Sequence, residues 1–169
     1  MRRIWLEQTD EQILADCETD CYRASGPGGQ KRNKTESAIR LRHGPSELAA
    51  HATESRSQLD NRRSALRRLR AKFAIELREQ VTADTREVAL AFLSAPARRS
   101  DKARRALEYL SGIATLLDVV AAADYAVGDA ARGLGVSTSA VSGAITADPR
   151  VHRWVNHQRA KRELKPLRG

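Results

Sequence analysis

The segment Gly-Pro-Gly-Gly at residues 26–29 separates two stretches in which apolar and polar residues alternate. Its three glycines permit backbone torsions that other residues avoid, and they let a ligand approach the main chain without an intervening Cβ. Pro27 fixes one torsion and favours an extended Gly26, so the segment is predicted to be a semi-rigid loop. Alternation is typical of strands, so the loop should follow one strand and, after one helical turn, lead into another. A plain turn is the alternative interpretation of these glycines.

The flanking stretches predict an α+β unit over residues 12–79. "ADCETDCYRAS" (15–25) and "SAIRLRH" (37–43) are predicted strands, the second with Arg40 and Arg42 on a solvated face. "GPSE" predicts a turn, and "LAAHATE" a weaker third strand. We therefore expect a small mixed or antiparallel sheet covered by one long helix.

That helix is predicted to begin at Ser57, which forms a capping box with Asp60. Apolar residues recur on one face at helical spacing, namely Leu59, Leu66, Leu69, Phe73 and Leu77. The opposite face is cationic, with Arg62, Arg63, Arg67, Arg68, Arg70 and Lys72.

The remaining sequence predicts an all-α region. A helix from Asp84 to Ser94 should stop before Pro96, and an apolar stripe predicts a second helix within 101–123. The members of the stripe are Leu107, Leu110, Ile113, Leu117 and Val120.

"AVGDAARGLGVSTSAVSGAITAD" (126–148) resembles a helix-turn-helix. The pattern has Ala131 with Gly135 four residues on, where Gly135 permits the turn. Ser137 can cap the second helix, Ser137 to Ala147, whose core positions are Val141 and Ile145. The predicted domains are residues 1–94, residues 100–150 and a basic tail, 151–169, which would span about 60 Å if extended.

Positive charge is concentrated in two parts of the chain. The net charge is +9, with 14 basic and 6 acidic residues in 21–80, 8 of each in 81–150, and 6 and 1 in 151–169. This distribution indicates a nucleic-acid partner. Aromatic residues are only 4%, so phosphate contacts should dominate over base stacking. No apolar run approaches the roughly 20 residues of a membrane span, so we expect a cytoplasmic protein without membrane association.

The loop fits neither of two phosphate-binding motifs. In a P-loop the last glycine is followed by Lys and then by Ser or Thr, whereas in this chain Gln30 follows Gly29. A dinucleotide fingerprint needs a third glycine where the chain has Lys31.

Other reactive side chains form no recognisable site. Cys17 and Cys21 lack a CxxC pair and are predicted to be buried thiols, with metal binding or a disulfide as alternatives. The histidines are scattered without metal-ligand spacing, at His43, His51, His152 and His157. We therefore expect no metal and no cofactor.

The order Arg-Ala-Ser-Gly-Pro-Gly-Gly-Gln at 23–30 is followed by Asn33-Lys34, Ser37-Ala38 and "ESRSQ" at 54–58. At these residues the chain resembles the peptidyl-tRNA hydrolysis domain of class I peptide chain release factors, whose signature is Gly-Gly-Gln. The resemblance runs from about residue 17 to 79. It implies hydrolysis of the ester of P-site peptidyl-tRNA in the ribosomal peptidyl transferase centre.

The resemblance also implies roles for the loop residues. Gly28 and Gly29 would give the loop its tight conformation, and the main-chain N–H of Gln30 would stabilise the charge that develops during hydrolysis. The Gln30 side chain would line the water site and could be the substrate of a glutamine methyltransferase. The residues expected to support the loop are Ser25, Gly26 and Pro27.

Cations near the loop and along the long helix are expected to bind phosphates of 23S-type rRNA and tRNA. They are Arg23, Lys31, Arg32, Lys34, Arg40, Arg42, Arg62, Arg63 and Arg67. The tail is expected to enter the mRNA channel of the ribosome through a second set, Arg159, Lys161, Arg162, Lys165 and Arg168.

Only 27 residues precede Gly28, which leaves no room for a stop-codon-reading region. The architecture resembles that of codon-independent, ribosome-rescue release factors with an added helical domain. Two alternatives remain open at this point. The chain could be a helix-turn-helix DNA-binding regulator, or a ribosome-binding factor without catalytic activity.

Overall fold

A computed structural model describes residues 1–23, 37–95 and 106–168 of the 169-residue chain. Contacts divide the chain into two compact units: Glu7–Phe73, here called the sheet unit, and Met1–Leu6 with Ala74–Gly169, here called the helical unit. Within the described residues, three strands and eight α-helices give the predicted α+β class. The division does not coincide with the predicted boundaries at residues 94 and 100, because the long helix contributes to both units.

The sheet is antiparallel, with strand order β1-β2-β3. The elements from its first helix onward are α2 (Asp10–Ala15), β1 (Cys17–Tyr22), β2 (Ala38–His43), a 3₁₀ turn (Gly44–Ser46), β3 (Ala49–Ala52) and α3 (Gln58–Glu76). The described helices of the helical unit are α1 (Arg2–Glu7, which extends by one residue into the sheet unit), α4 (Ala83–Ser94), α5 (Leu107–Ala122), α6 (Val127–Leu134), α7 (Thr138–Thr146) and α8 (Pro149–Ala160).

Strand β2 has the burial pattern predicted from its alternation. Ile39 and Leu41 are buried, whereas Arg40 and Arg42 are exposed. The partner strand β3 buries Ala52 directly opposite Ile39. One face of the sheet is therefore apolar, and the other presents cations to solvent.

Helix α3 confirms the predicted long helix. Ser57 Oγ accepts a hydrogen bond from the main-chain N of Asp60 at 3.3 Å, which caps the first turn. The predicted apolar face is buried at Leu66, Leu69 and Phe73. Leu59 is an exception, because it lies in the first turn beside an open groove and is 57% exposed.

The prediction of two buried cysteines is wrong. Strand β1 is an edge of the described sheet and exposes most of its side chains, so Cys21 is exposed and Cys17 half-buried. Both are free thiols. Burial, with a smaller contribution from the Asp16 carboxylate, raises the pKa of Cys17 to about 11, so this thiol stays protonated at neutral pH.

Helix α5 forms the centre of the helical unit. Its stripe of predicted core residues is buried from Leu110 onward, whereas Leu107, the first helical residue, is 44% exposed. A Cβ at Gly112 would lie 2.3 Å from Cδ2 of Phe92, so only glycine permits α4 to pack this closely. Among the described residues, no single helix is long and apolar enough to cross a membrane; α5 and α6 pass such a test only as a pair bent by 110°.

A buried ion network holds α1 and the residues after α3 against α5. Both Nη atoms of Arg2 donate to the carboxylate of Asp118 at 2.7 Å, and Arg78 Nη1 donates to the same carboxylate at 3.1 Å. The main-chain N of Glu79 adds a fourth hydrogen bond at 3.0 Å. Only 1% of the Asp118 side chain is exposed, so these donors replace water as its solvation.

Helices α6 and α7 lie in the segment that resembles a helix-turn-helix and are joined by a short turn at Gly135. Gly135 ends α6 in the left-handed region at φ 70°, and the main-chain N of Val136 donates to the Ala131 carbonyl. Ser137 Oγ then caps α7 by accepting from the main-chain N of Ala140 at 3.2 Å. Val141 is fully buried, as predicted for a core position.

In the described residues up to Arg168, the predicted basic tail is not extended. Helix α8 accounts for its first part, capped by Asp148, whose Oδ1 accepts from the main-chain N of Arg150 at 2.9 Å. Residues 161–168 then fold back, and Leu167 exchanges two hydrogen bonds with the Asn156 side chain at 2.8 and 3.1 Å. Burial of apolar side chains on α8 and hydrogen bonds from side chains to main-chain groups therefore stabilise this segment. Their contribution exceeds the repulsion among its positive charges.

Candidate functional site

Strands β1 and β2 place the chain before residue 24 close to the chain after residue 36. Tyr22, the last residue of β1, pairs with Ala38, the first residue of β2. The chain between them therefore leaves and re-enters the sheet at the same end. The loop residues predicted for this site lie outside the described residues: Ser25, Gly26, Pro27, Gly28, Gly29, Gln30, Lys31, Arg32 and Lys34.

Asn61 connects the start of β2 to the start of α3. Its Nδ2 donates to the carbonyl of Ser37 at 2.6 Å and to the carbonyl of Ser55 at 2.8 Å. Its Oδ1 accepts from the main-chain N of Ser55 at 2.9 Å. Because Asn61 is fully buried and its amide is satisfied on both sides, it holds the residue immediately before β2 in a defined position.

Sequence reasoning missed Asn61. The available signal was an asparagine near the start of a helix rich in arginine, leucine and alanine. Asparagine is unfavourable inside helices because its amide competes for main-chain groups. Such a position indicates a side chain with a specific main-chain partner.

Arg40 lies on the solvated face of the sheet near the same strand ends. Its Nη2 forms an ion pair with Asp20, the residue opposite it on β1, at 3.0 Å, and its guanidinium lies 5.8 Å from the Tyr22 ring centre. Cross-strand pairs of this kind favour the observed register. Arg40 therefore contributes to the β1–β2 pairing as well as to surface charge, whereas Arg42 and Arg23 lie exposed on β2 and after β1.

The predicted cationic face of α3 is exposed at Arg62, Arg63 and Arg67. Two further arginines of this helix contact other elements of the sheet unit. Arg68 pairs with Glu54 at 2.8 Å, and Arg70 pairs with Asp10 at 2.8 Å. Fewer arginines of this face are therefore available to bind a polyanion than the sequence predicts.

The predicted cations of the C-terminus belong to the helical unit. Two of them bind main-chain groups of that unit: Arg159 donates to the carbonyls of Tyr125 and Lys165, and Arg162 donates to the carbonyl of Gln158 at 3.0 Å. The Arg162 guanidinium also lies 4.6 Å from the Tyr125 ring centre. Partial burial lowers the pKa of Arg159 from its usual value. Of the five predicted cations, Lys161, Arg162, Lys165 and Arg168 are exposed.

The segment that resembles known proteins runs from the sheet unit through α4 to the start of α5. A family model for the RF-1 domain matches residues 9–108. Peptide chain release factor 1 of Kocuria rhizophila is 40% identical over 81 residues, 47% of this chain and 22% of that protein. Peptide chain release factor 2 of Corynebacterium diphtheriae is 42% identical over 81 residues, with the same shares.

Peptide chain release factor 1 of Anaeromyxobacter sp. is 46% identical over 79 residues, 46% of this chain and 21% of that protein. The chain thus spans about a fifth of the length of the curated relatives it matches. Helices α6, α7 and α8 follow the segment that the family model matches.

Proposed function

The chain belongs to the RF-1 domain family, and from that premise we propose that it is a peptidyl-tRNA hydrolase that releases nascent peptides on the ribosome. One observation carries the proposal. The chain containing Gly28-Gly29-Gln30 is held at both ends, by the Tyr22–Ala38 pair and by the hydrogen bond from Asn61 to Ser37. Such anchoring suits a loop that must present a main-chain group at a fixed place.

In the proposed reaction, water adds to the ester carbonyl carbon of peptidyl-tRNA. The bond to the ribose oxygen then breaks, this oxygen takes up a proton, and the peptide leaves as a carboxylic acid. The main-chain N–H of Gln30 donates a hydrogen bond to the oxygen on which negative charge develops. One such donor is typically worth ~2.7–4 kcal/mol, and alignment of the reactants contributes up to ~7–11 kcal/mol.

The side chain of Gln30 has a different role in this proposal. An amide is neither a base nor an acid near neutral pH, so it cannot take the proton from water. Its donor and acceptor atoms can hold a water molecule at the ester and leave no space for larger nucleophiles. Water selection and charge stabilisation are therefore assigned to separate groups of the same residue.

In the sheet unit we assign phosphate binding to exposed cations on α3 and β2: Arg42, Arg62, Arg63 and Arg67. The loop cations Lys31, Arg32 and Lys34 and the neighbouring Arg23 are included in this proposal. Phosphate contacts position a protein on RNA without reading its sequence. This mode of binding agrees with the low aromatic content, 4%, which provides few stacking surfaces.

We further propose that release needs no stop codon, as in ribosome rescue. Supporting this, exposed cations that follow the matched segment, such as Arg153 and Lys161, can contact phosphates without reading their sequence. Helix α7 contains no lysine or arginine, although the second helix of a base-reading helix-turn-helix commonly contacts base edges with such residues. This composition disfavours a DNA-binding regulator.

The test uses ribosomes stalled on an mRNA that ends without a stop codon and carrying labelled peptidyl-tRNA. The full chain should release the peptide. Gln30→Pro removes the proposed N–H donor and should slow release about 10²–10³-fold. Gln30→Ala retains the N–H and should instead allow hydroxylamine to compete with water.

Ribosome co-sedimentation of each variant separates chemistry from binding. Release by Gln30→Pro at the unmodified rate would eliminate the proposed mechanism. Co-sedimentation of the unmodified chain without release would support a non-catalytic ribosome factor. Binding to duplex DNA, with no ribosome binding, would support a regulator.

A further inference from the structure

Helix α8 has three distinct faces. Val151 and Val155, one turn apart, are fully buried in the helical unit. A second face, containing His152, Asn156 and Arg159, contacts the chain that folds back after the helix. These two faces fix the rotation of α8 about its axis, so the orientation of the third face is also determined.

The third face carries Arg150, Arg153, His157 and Lys161, here called the α8 stripe. At about 100° per residue Arg150, Arg153, His157 and the C-cap residue Lys161 cluster on one side of the helix, about 135° from the side that carries Val151 and Val155. All four residues are exposed. With a rise of about 1.5 Å per residue, they extend over about 16 Å.

Local contacts neutralise only one end of the stripe. Arg150 pairs with the buried carboxylate of Asp148 at 2.7 Å. Arg153 and Lys161 form no ion pair with any of the described residues, and His157 lies next to Trp154, with ring centres 6.3 Å apart. The stripe thus presents positive charge in a fixed array.

The character of the surface indicates which class of partner it suits. Stable protein interfaces require buried apolar or aromatic anchors. The large apolar side chains exposed among the described residues are Met1, Ile4, Leu59, Val88 and Leu107, none of which lies on α8. A cationic array without such anchors suits a polyanion, which is bound through phosphates.

We propose that the α8 stripe is a folded binding surface for the phosphate backbone of ribosomal RNA. The choice of ribosomal RNA rests on the proposed function. Because α8 is already ordered, binding through this surface requires no folding of the segment. Arg159 and Arg162, predicted to contact RNA, instead hold the returning chain against the helical unit.

The test compares two pairs of exposed cations from the same region. Arg153→Gln with Lys161→Gln alters the stripe, whereas Lys165→Gln with Arg168→Gln removes the same charge from the segment after α8. The affinity of the full chain for purified ribosomes is measured at several salt concentrations. The stripe variant should lower the slope of log affinity against log salt by about 1.5, at roughly 0.7–0.9 per lost phosphate contact.

The control variant should leave that slope unchanged, and circular dichroism should give both variants the melting temperature of the unmodified chain. Equal loss in both variants would overturn the proposal by showing that only net charge matters. An unchanged slope in the stripe variant would also overturn it. So would stripe-dependent binding to a duplex DNA probe in place of ribosomes.

Peptide release, measured in parallel at saturating protein, separates this inference from the proposed function. If the unmodified chain binds ribosomes through the stripe but releases no peptide, the proposed chemistry fails and the binding surface is supported. If release occurs and the stripe variant binds like the unmodified chain, the surface alone is refuted.

Discussion

The sheet unit and the helical unit bury different kinds of polar group. Among the described residues of the sheet unit, the buried polar side chains are His43 and Asn61, and burial lowers the pKa of His43, which favours its neutral form. In the helical unit they are Arg2, Asp118 and Asp148, which are charged. The described charged side chains of the sheet unit therefore lie outside its core, whereas the helical unit also has charged side chains in its interior.

Arginine has a different role in each unit, and amino-acid composition alone cannot distinguish the two roles. Arg2 and Arg78 stabilise the helical unit by satisfying a buried carboxylate. Arg63 and Arg67 of the sheet unit are exposed and leave their charge accessible to a partner. If the comparison is correct, loss of internal charge should reduce stability most, loss of a buried neutral amide less, and loss of exposed charge least.

Asp118→Ala should produce the largest effect. It leaves the Arg2 guanidinium and the largely buried Arg78 guanidinium without their shared carboxylate. Breaking a buried ion pair from one side typically costs about 3–5 kcal/mol of unfolding free energy. Urea unfolding of the full chain measures this loss.

Asp129→Ala is the matched control, because Asp129 forms an exposed ion pair with Arg132 at 2.8 Å. Exposed pairs contribute at most about 1 kcal/mol. Similar losses in the two variants would show that the Asp118 network is no more important than a surface pair, and the contrast between the units would then be incorrect.

Asn61→Ala should have an intermediate effect on stability and a larger one on release. It removes three hydrogen bonds around Ser37 and Ser55 and leaves main-chain groups unpaired, at a cost of about 1–3 kcal/mol. If Asn61 positions the loop, the rate of peptide release at saturating protein should fall while ribosome affinity is retained. Single-turnover release and co-sedimentation measure the two quantities.

Gly112→Ala provides a control of comparable stability loss in the other unit. The added Cβ would clash with the Phe92 ring, and overpacking of this kind costs about 1–3 kcal/mol. This variant should release peptide at the unmodified rate below its melting temperature. Equal slowing in both variants would assign the effect of Asn61→Ala to stability rather than to loop position.

Local pattern was sufficient to predict the elements in which neighbouring residues determine the structure. The alternation of β2, the Ser57 cap of α3 and the left-handed turn at Gly135 are each encoded within a few residues, and the structure has all three. The predicted α+β class follows from these elements, as does the position of the glycine segment between two paired strands.

The remaining features depend on contacts between distant residues. Asn61 reaches Ser37 across 24 positions, and Arg2 reaches Asp118 across 116, so no local pattern indicates either contact. Cys21 is exposed because β1 is an edge strand of the described sheet, which is a property of the whole sheet. The ordered C-terminus depends on burial of α8 in the helical unit. Charge content alone therefore does not indicate that this segment is ordered.

The smallest effect on stability is expected from Arg63→Gln combined with Arg67→Gln. Both side chains are exposed on α3, and Arg67 donates a hydrogen bond to Ser64 Oγ of its own helix at 2.8 Å. Exposed substitutions usually change the free energy of unfolding by no more than about 0.5 kcal/mol. The same variant should lower the salt slope of ribosome binding by about 1.5, since two phosphate contacts are lost. A stability loss above about 1 kcal/mol would mean that these arginines support the fold, and an unchanged slope would mean that they contact no phosphate. Either result would remove the distinction between internal and accessible arginine on which the comparison of the two units depends.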